Sequence, residues 1–312
     1  MRCSFAPMEG LTGPIFRTVH YRFFPGMQVY YTPFLAPSQG GKTFTERVRR
    51  EILTESPDGV PLIPQILTAN PEDFLSAARE LAELGFEEVN LNAGCPSGTV
   101  VSKGKGAAML ASPEKLDRFL DAVFKETPVR ISIKTRLGLT DPSEFNAVLP
   151  VLERYPFSEL ILHPRTRVEM YKGLAHRDVF STVAERTTLP LCYNGDIRTA
   201  ADALSLAGQH PALCGVMVGR GAVANPAIFR EIQGGQPLNK EELLLWYNTL
   251  FTAYVDAFGS HNAMHRMKEV WACLKTTFAG SEKIAGKIAR SKSADELSYW
   301  AGTAFATLPL AE

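Results

Sequence analysis

Up to about residue 235, short apolar and β-branched runs alternate with stretches whose apolar positions recur at helical spacing. The runs Cys3–Ala6, Gln28–Tyr31, Leu62–Leu67, Glu88–Asn92, Arg130–Thr135, Glu159–His163, Leu189–Tyr193 and Gly215–Val218 predict strands. Between them, Pro71–Leu84 places Phe74, Ala77, Ala78, Leu81 and Leu84 on one helical face. Pro113–Phe124 does the same with Leu116, Phe119, Leu120 and Val123, and Glu144–Leu152 and Ala200–Leu206 repeat the pattern. Eight strands with intervening helices over roughly 230 residues predict an α/β fold, a (β/α)8 TIM barrel. A doubly wound open sheet usually has fewer strands and a Gly-rich first turn. Here the first turn reads Ala6-Pro7-Met8-Glu9-Gly10, without GxGxxG.

The pattern changes at Gln233-Gly234-Gly235-Gln236-Pro237. Asn239 with Glu242 predicts a capping box opening a new helix. Glu241–Phe258, His261–Phe278 and Ala294–Leu308 then read as helices. Residues 1–235 are therefore expected to form the barrel and residues 236–312 a small C-terminal helical domain.

Composition narrows the function. Lys+Arg and Asp+Glu both number 33, so the net charge is zero and any nucleic-acid site must come from local clustering. The cysteines, Cys3, Cys95, Cys192, Cys214 and Cys273, are odd in number and contain no CxxC pair. Neither a disulfide framework nor a metal site is expected, and reduced thiols fit a cytoplasm. Met1 opens into Arg2-Cys3-Ser4-Phe5-Ala6 without a signal-peptide pattern, and no apolar stretch is long enough for a membrane span.

A barrel enzyme carries its chemistry where its strands end. The first strand here runs into Pro7-Met8, the third ends near Gln65, and the fourth enters Asn92-Ala93-Gly94-Cys95-Pro96. The fifth carries Lys134 and Arg136, the sixth ends in His163 and Arg165, the seventh in Asn194-Gly195-Asp196 and the eighth in Gly219-Arg220-Gly221. The last two turns, followed by Val223–Ala227 as the start of a short helix, suit a phosphate, with Arg220 adding a fork of donors. A lysine aimed into a barrel mouth is costly unless an anion needs it, and Lys134 is placed to stabilise negative charge on a reduced flavin. Gln65 and His163 are hydrogen-bonding groups suited to a cofactor edge. Cys95 lies in a Gly-Cys-Pro turn where backbone shape is specified. A free thiol, with a pKa near ~8.5, is mostly protonated at neutral pH and suits a general acid. A nucleophile would need an adjacent base, and none is obvious.

At these residues the chain resembles the tRNA-dihydrouridine synthases of the bacterial, FMN-dependent type. The matching segments run from Ala6-Pro7-Met8 to Gly219-Arg220. They include Asn90-Leu91-Asn92-Ala93-Gly94-Cys95-Pro96, Gly104–Leu110, Lys134–Gly138, His163–Arg167 with Tyr171-Lys172-Gly173, Asn194–Ile197 and Met217–Gly221. The resemblance implies an enzyme that reduces a uridine of folded tRNA to 5,6-dihydrouridine. FMN would be reduced by NADPH, hydride would pass from flavin N5 to uracil C6, and Cys95 would protonate C5. By position, Pro7, Met8, Gln65, Lys134, His163, Asn194, Gly195, Asp196, Gly219 and Arg220 would hold FMN. Asn92, Arg165 and Tyr171 would serve the substrate, the first and last meeting a uracil flipped out of its stack. The helical domain would bind tRNA, with Arg266 and Lys268 of His265-Arg266-Met267-Lys268 as RNA contacts. A cytoplasmic monomer without a metal is expected. Pro164 departs from the family's usual Gly, and Thr32–Pro37 lacks a basic residue that some members carry.

Two rivals share parts of this reading. An FMN barrel acting on a free pyrimidine or enone would share the phosphate site but not the Asn-x-Gly-Cys-Pro loop, and would need no helical tail. An RNA-binding factor without turnover would have no use for Cys95 and Lys134.

Overall fold

The structure, a computed structural model, describes residues 1–37, 44–53, 59 and 61–311. Among the described residues, nine parallel strands form one sheet. They are β1 (Arg2–Phe5), β2 (Val29–Tyr31), β3 (Leu62–Ile63), β4 (Gln65–Ile66), β5 (Glu88–Ala93), β6 (Arg130–Gly138), β7 (Leu160–Thr166), β8 (Leu191–Tyr193) and β9 (Gly215–Val218). Their order is β3-β2-β1-β9-β8-β7-β6-β5-β4, so the two ends of the order are the halves of one extended segment. The ring closes through that segment: Leu35 bridges to Ile66, and Leu67 N–H donates to Leu35 O at 2.9 Å. The expected third strand is thus a single run interrupted at Pro64, which has no N–H for a ladder. Its carbonyl still accepts from Asn90 N–H at 2.8 Å. Counted this way, the fold is the expected TIM barrel.

The surrounding helices are α1 (Pro14–Phe23), α2 (Glu46–Leu53), α3 (Pro71–Glu83), α4 (Gly98–Val101), α5 (Pro113–Glu126), α6 (Phe145–Leu152), α7 (Arg177–Arg186), α8 (Ala200–Gln209), α9 (Arg220–Ala224) and α10 (Ile228–Ile232). Helices α3, α5, α6 and α8 lie on the expected stretches. Asn70, Ser112 and Thr199 cap α3, α5 and α8 by accepting backbone N–H groups, which ends each helix on a satisfied donor. Helix α1 was not expected, because its buried face includes Arg17 and His20 beside Phe16 and Val19 and breaks the apolar period. Burial holds His20 neutral, with its pKa down to about 3. Its Nε2–H donates to Pro226 O at 3.0 Å and its Nδ1 accepts from the Tyr30 hydroxyl.

The barrel interior is filled by Ala6, Val29, Tyr31, Ile63, Ile161, Cys192 and Met217. A larger core lies between the sheet and the helices. At the N-terminal end of the strands the buried Glu159 carboxylate pairs with Arg2 and accepts from Tyr31 Oη at 2.9 Å, closing the barrel floor.

The tail comprises α11 (Lys240–Leu274), α12 (Glu282–Arg290) and α13 (Ala294–Thr307). The expected break between Phe258 and His261 is present within α11: Gly259, with a φ of 76° and a ψ of 158° that suit a residue without a Cβ, is non-helical and divides it into two helical arms. Helix α12 was not expected. Of the expected capping box only half is present: Asn239 Oδ1 accepts from Glu242 N at 2.8 Å, but the Glu242 carboxylate makes a two-pronged pair with Arg230 of α10 instead. The tail is bonded to the barrel through aromatic packing as well. Trp246, wholly buried, meets Phe16 and Phe24 edge-on, each at 6.0 Å between ring centres. Among the described residues no helix is long and apolar enough to cross a membrane.

Candidate active site

Alternation along a strand puts every second side chain on the barrel-facing side. On β6 these are Ser132, Lys134 and Arg136, the first two in register with Asn90 and Asn92 of β5. The result is a layered polar column. Asn90 Nδ2 donates to Ser132 Oγ at 3.0 Å, and Gln65 Nε2 donates to Asn90 Oδ1 at 2.8 Å. Asn92 Nδ2 in turn donates to Gln65 Oε1 at 2.7 Å. Buried amides that satisfy one another in this way are held in one orientation.

Asn92 also shapes the turn that carries Cys95. Its Oδ1 accepts from Gly94 N at 3.1 Å and Cys95 N at 2.9 Å. The Cys95 carbonyl accepts from Ala107 N at 3.1 Å. Gly106 is required beneath it: its φ is +60°, and a Cβ there would stand 2.8 Å from the Cys95 carbonyl oxygen. Arg136 Nε donates to Gly94 O at 3.0 Å, and its Nη1 donates to Thr166 O and Met170 O, both at 2.9 Å. One guanidinium therefore clasps the Cys95 turn to the loop after β7. No hydrogen bond engages the Cys95 thiol among the described residues, and Lys134 and Arg136 are its charged neighbours.

Lys134 is half-buried and has no hydrogen-bond or ion-pair partner among the described residues. Burial, reinforced by Arg136, lowers its pKa to about 7. His163 is buried and its pKa lies well below the usual value, first through burial and then through Arg136, Lys134, Arg165 and Arg220. Arg165 Nη1 donates to His163 Nε2 at 3.0 Å, which leaves the neutral ring's proton on Nδ1.

Arg165 itself is only 1% exposed. Besides His163 it donates to Lys172 O, to Gly173 O at 2.8 Å and to Asp196 Oδ2 at 2.6 Å. It thus orients its neighbours from within the wall. Asp196 accepts from Arg165 and Ala175 N–H and stands 3.6 Å from Arg220, so its carboxylate serves the same clamp.

The turns after β8 and β9 present backbone. Among the described residues no hydrogen bond engages the N–H groups of Gly195, Asp196, Gly219 or Arg220. The glycines permit this approach: a Cβ on Gly195 would strike the Tyr193 ring, and one on Gly221 would stand 2.1 Å from Ile197 O. Asn194 Nδ2 secures the pair of turns by donating to Met217 O at 2.8 Å. Gly219 also lies against Ala6 and Met8, which brings the end of β1 to the same spot. Such N–H groups beside the half-exposed Arg220 fork are a fitting receptor for a phosphate. Tyr171 covers the mouth, half-exposed, with the Arg220 and Arg136 guanidiniums 4.7 and 5.4 Å from its ring centre.

The structure therefore gathers Pro7, Met8, Gln65, Asn92, Cys95, Lys134, His163, Asn194, Gly195, Asp196, Gly219, Arg220 and Tyr171 around one end of the barrel. Arg266 reaches that rim, its Nη1 near Gly10 O at 3.4 Å and its guanidinium over the Phe258 ring at 4.3 Å. Lys268 does not: its Nζ donates to Ser291 O at 2.5 Å, inside the tail. Two residues apart on a helix, the pair faces different ways, so the expected joint patch does not form. Sequence reasoning missed Arg136 as the clasp and α12 as a helix. Lys283, Lys287 and Arg290 recur on one face of α12 at spacings of four and three, all exposed. Among the described residues no three His, Cys, Asp or Glu side chains converge as metal ligands.

A family model described as dihydrouridine synthase matches residues 4–278. The tRNA-dihydrouridine(16) synthase of Ralstonia nicotianae is 30% identical, the alignment covering 95% of this chain and 94% of that one. The probable tRNA-dihydrouridine synthase 2 of Bacillus subtilis is also 30% identical, over 94% of this chain and 90% of its own. Among solved structures, morphinone reductase superposes with a TM-score of 0.53 at 16% identity, covering 77% of this chain and 87% of that one, a likeness of fold alone.

Proposed function

Because the chain belongs to the dihydrouridine synthase family, and is thus an oxidoreductase, we propose that it reduces the C5–C6 double bond of a uridine in tRNA to 5,6-dihydrouridine, with FMN as cofactor and NADPH as reductant. The observation that carries this reading is the convergence, at one barrel mouth, of Cys95, the unpaired Lys134 and the unengaged N–H groups of two consecutive turns beside Arg220. The residues fit FMN. The turn N–H groups of Gly195, Asp196, Gly219 and Arg220, with the Arg220 side chain, take its phosphate. Pro7 and Met8 line the wall, Asn194 fixes the turns, and Gln65, Lys134 and His163 meet the ring.

When bound, FMN supplies to uracil C6 the hydride it has taken from NADPH. Lys134 places a cation where negative charge gathers, in a site already short of water. Cys95 carries the proton for C5, and the absence of a bonded base among the described residues suits an acid rather than a nucleophile. Asn92 and Arg136 position that thiol by fixing its turn; Arg165 positions His163. Tyr171 offers a ring to the extruded uracil, and Arg266 and the basic face of α12 reach tRNA from the tail. An enzyme acting on tRNA works in the cytoplasm.

The test is anaerobic. The flavin-loaded protein is reduced with NADPH and mixed with tRNA from a strain lacking the gene. Reoxidation that requires tRNA, with one uridine gaining two hydrogens by mass spectrometry, is expected. Equal reoxidation by a free pyrimidine or enone would move the activity to a small substrate.

A further inference from the structure

The loop between β7 and α7 carries a feature that the chemistry above does not use. Leu174 is 84% exposed, more than any other large apolar side chain among the described residues, and Val168 and Met170 lie open beside it. An exposed leucine on a loose tip needs no explanation. This tip is fastened from below. Arg165 donates to Lys172 O at 3.3 Å and to Gly173 O at 2.8 Å, Ala175 N donates to Asp196 Oδ2 at 3.2 Å, and His176 N donates to Pro164 O at 2.8 Å. Gly173 turns the chain at φ +64°. Buried charges thus hold a leucine out into solvent three residues from Tyr171, whose ring carries two guanidiniums.

An apolar point among cations, on the rim of a site that must receive a base, matches a nucleic acid. The exposed Lys172 draws a phosphate, and base faces take the apolar side chain. We infer that Leu174 is a wedge that enters the tRNA stack beside the target uridine and covers the base faces left bare when the uracil swings out. Extrusion exposes those faces, and an inserted apolar side chain compensates for the lost stacking. The inference rests on the proposed activity on tRNA.

The experiment compares Leu174→Ala, Leu174→Glu and Leu174→Met in the flavin-loaded protein. Readouts are kcat and KM for tRNA, FMN content, NADPH-driven flavin reduction, melting temperature and sedimentation. Covering a leucine is equivalent to roughly tenfold or more in an equilibrium constant. The Ala and Glu variants are therefore expected to lose about that much kcat/KM for tRNA, while Met keeps the wild-type value. FMN content, flavin reduction and melting temperature stay unchanged, as an exposed side chain requires. Wild-type kcat/KM in the Ala and Glu variants, or a loss in Met equal to that in Ala, overturns the wedge. So does a self-association of the wild type that Leu174→Glu abolishes, which would make the leucine a contact between copies. A wild type that forms no dihydrouridine in tRNA instead overturns the activity on which the inference rests, and is visible before any variant is compared.

Discussion

The barrel mouth and the tail solve opposite problems. At the mouth, charged groups are buried and fixed. Arg136 and Arg165 each bridge several backbone carbonyls, and Asn92 holds a turn through two N–H groups. Within the tail, the helices cohere through the rings of Tyr247, Trp271, Phe278 and Phe305, while the cations of α12 stand in solvent. Fixed charges in a dry site act at full strength on a reacting atom; exposed ones are screened and suit a diffuse, many-contact surface. The proposed function assigns the chemistry to the first region and a broad tRNA contact to the second, and each variant below either keeps or breaks that division.

The largest effect belongs to Cys95→Ala. Loss of a general acid typically lowers turnover by about 10²–10⁴-fold. FMN content, NADPH oxidation and tRNA affinity are expected to remain. Single-turnover formation of dihydrouridine is the measurement, and near-normal product would remove the thiol from the chemistry.

Next comes Trp246→Ala, which attacks the seam between the two regions. The ring is fully buried against Phe16 of α1 and Phe24 just beyond it, and such truncations cost about 3–5 kcal/mol. A single lowered melting transition would show that barrel and tail unfold together. Two separate transitions, with flavin retained through the first, would show independent units. Ending the chain near residue 236 would bare the same α1 face, so the FMN site is expected to persist only in a weakened barrel.

Third is charge reversal on α12. Lys283→Glu, Lys287→Glu and Arg290→Glu together are expected to weaken tRNA binding by roughly ten- to a hundredfold and to flatten its salt dependence by about two to three phosphate contacts. Lys268→Ala should leave that slope alone, because its ammonium is engaged with Ser291 O. Titrations across a salt series decide; a slope altered by Lys268→Ala and not by the triple reversal would return the contact to α11.

The sequence was most legible where one physical rule acted alone. Strand-end polarity exposed the rim, and Asn-x-Gly-Cys-Pro marked the thiol turn. Helices α3, α5, α6 and α8 followed the apolar period. Helix α1 did not, since its inward positions include Arg17, bonded to the Thr12 carbonyl, and His20, whose partner Pro226 lies far along the chain. Arg136 looked like one more rim cation because its partners, Gly94, Thr166 and Met170, are backbone carbonyls that no side-chain pattern announces. Arg266 and Lys268 read as a pair because they are close in sequence, whereas a helix separates residues two apart. Helix α12 was missed although Ile284 and Ile288 lie one turn apart and its cations recur at spacings of four and three: nine residues hold too few turns for the period to repeat.

The smallest effect tests whether the barrel mouth is tuned at the expense of stability. Burial and Arg136 bring Lys134 from the usual 10.5 to about 7 in the folded protein. Below pH 7 both folded and unfolded chains carry the proton, and folding bears the full penalty of a poorly solvated charge. Between about pH 7 and 10.5 the unfolded chain binds the proton more, so this group's contribution to stability rises with pH across that window. Above it both states are neutral and the contribution is constant. Lys134→Met removes the ammonium and keeps much of the stem. In cofactor-free protein the variant should therefore melt a few degrees above wild type at pH 6, with the gap closing toward pH 10. An anion beside Lys134 reverses the balance by favouring the charged form, so the same substitution should weaken FMN binding at pH 6 and do so less as pH rises. A gap in melting temperature that is flat with pH would mean that the lysine is solvated through the mouth, and that its unpaired state is no part of the design of the site.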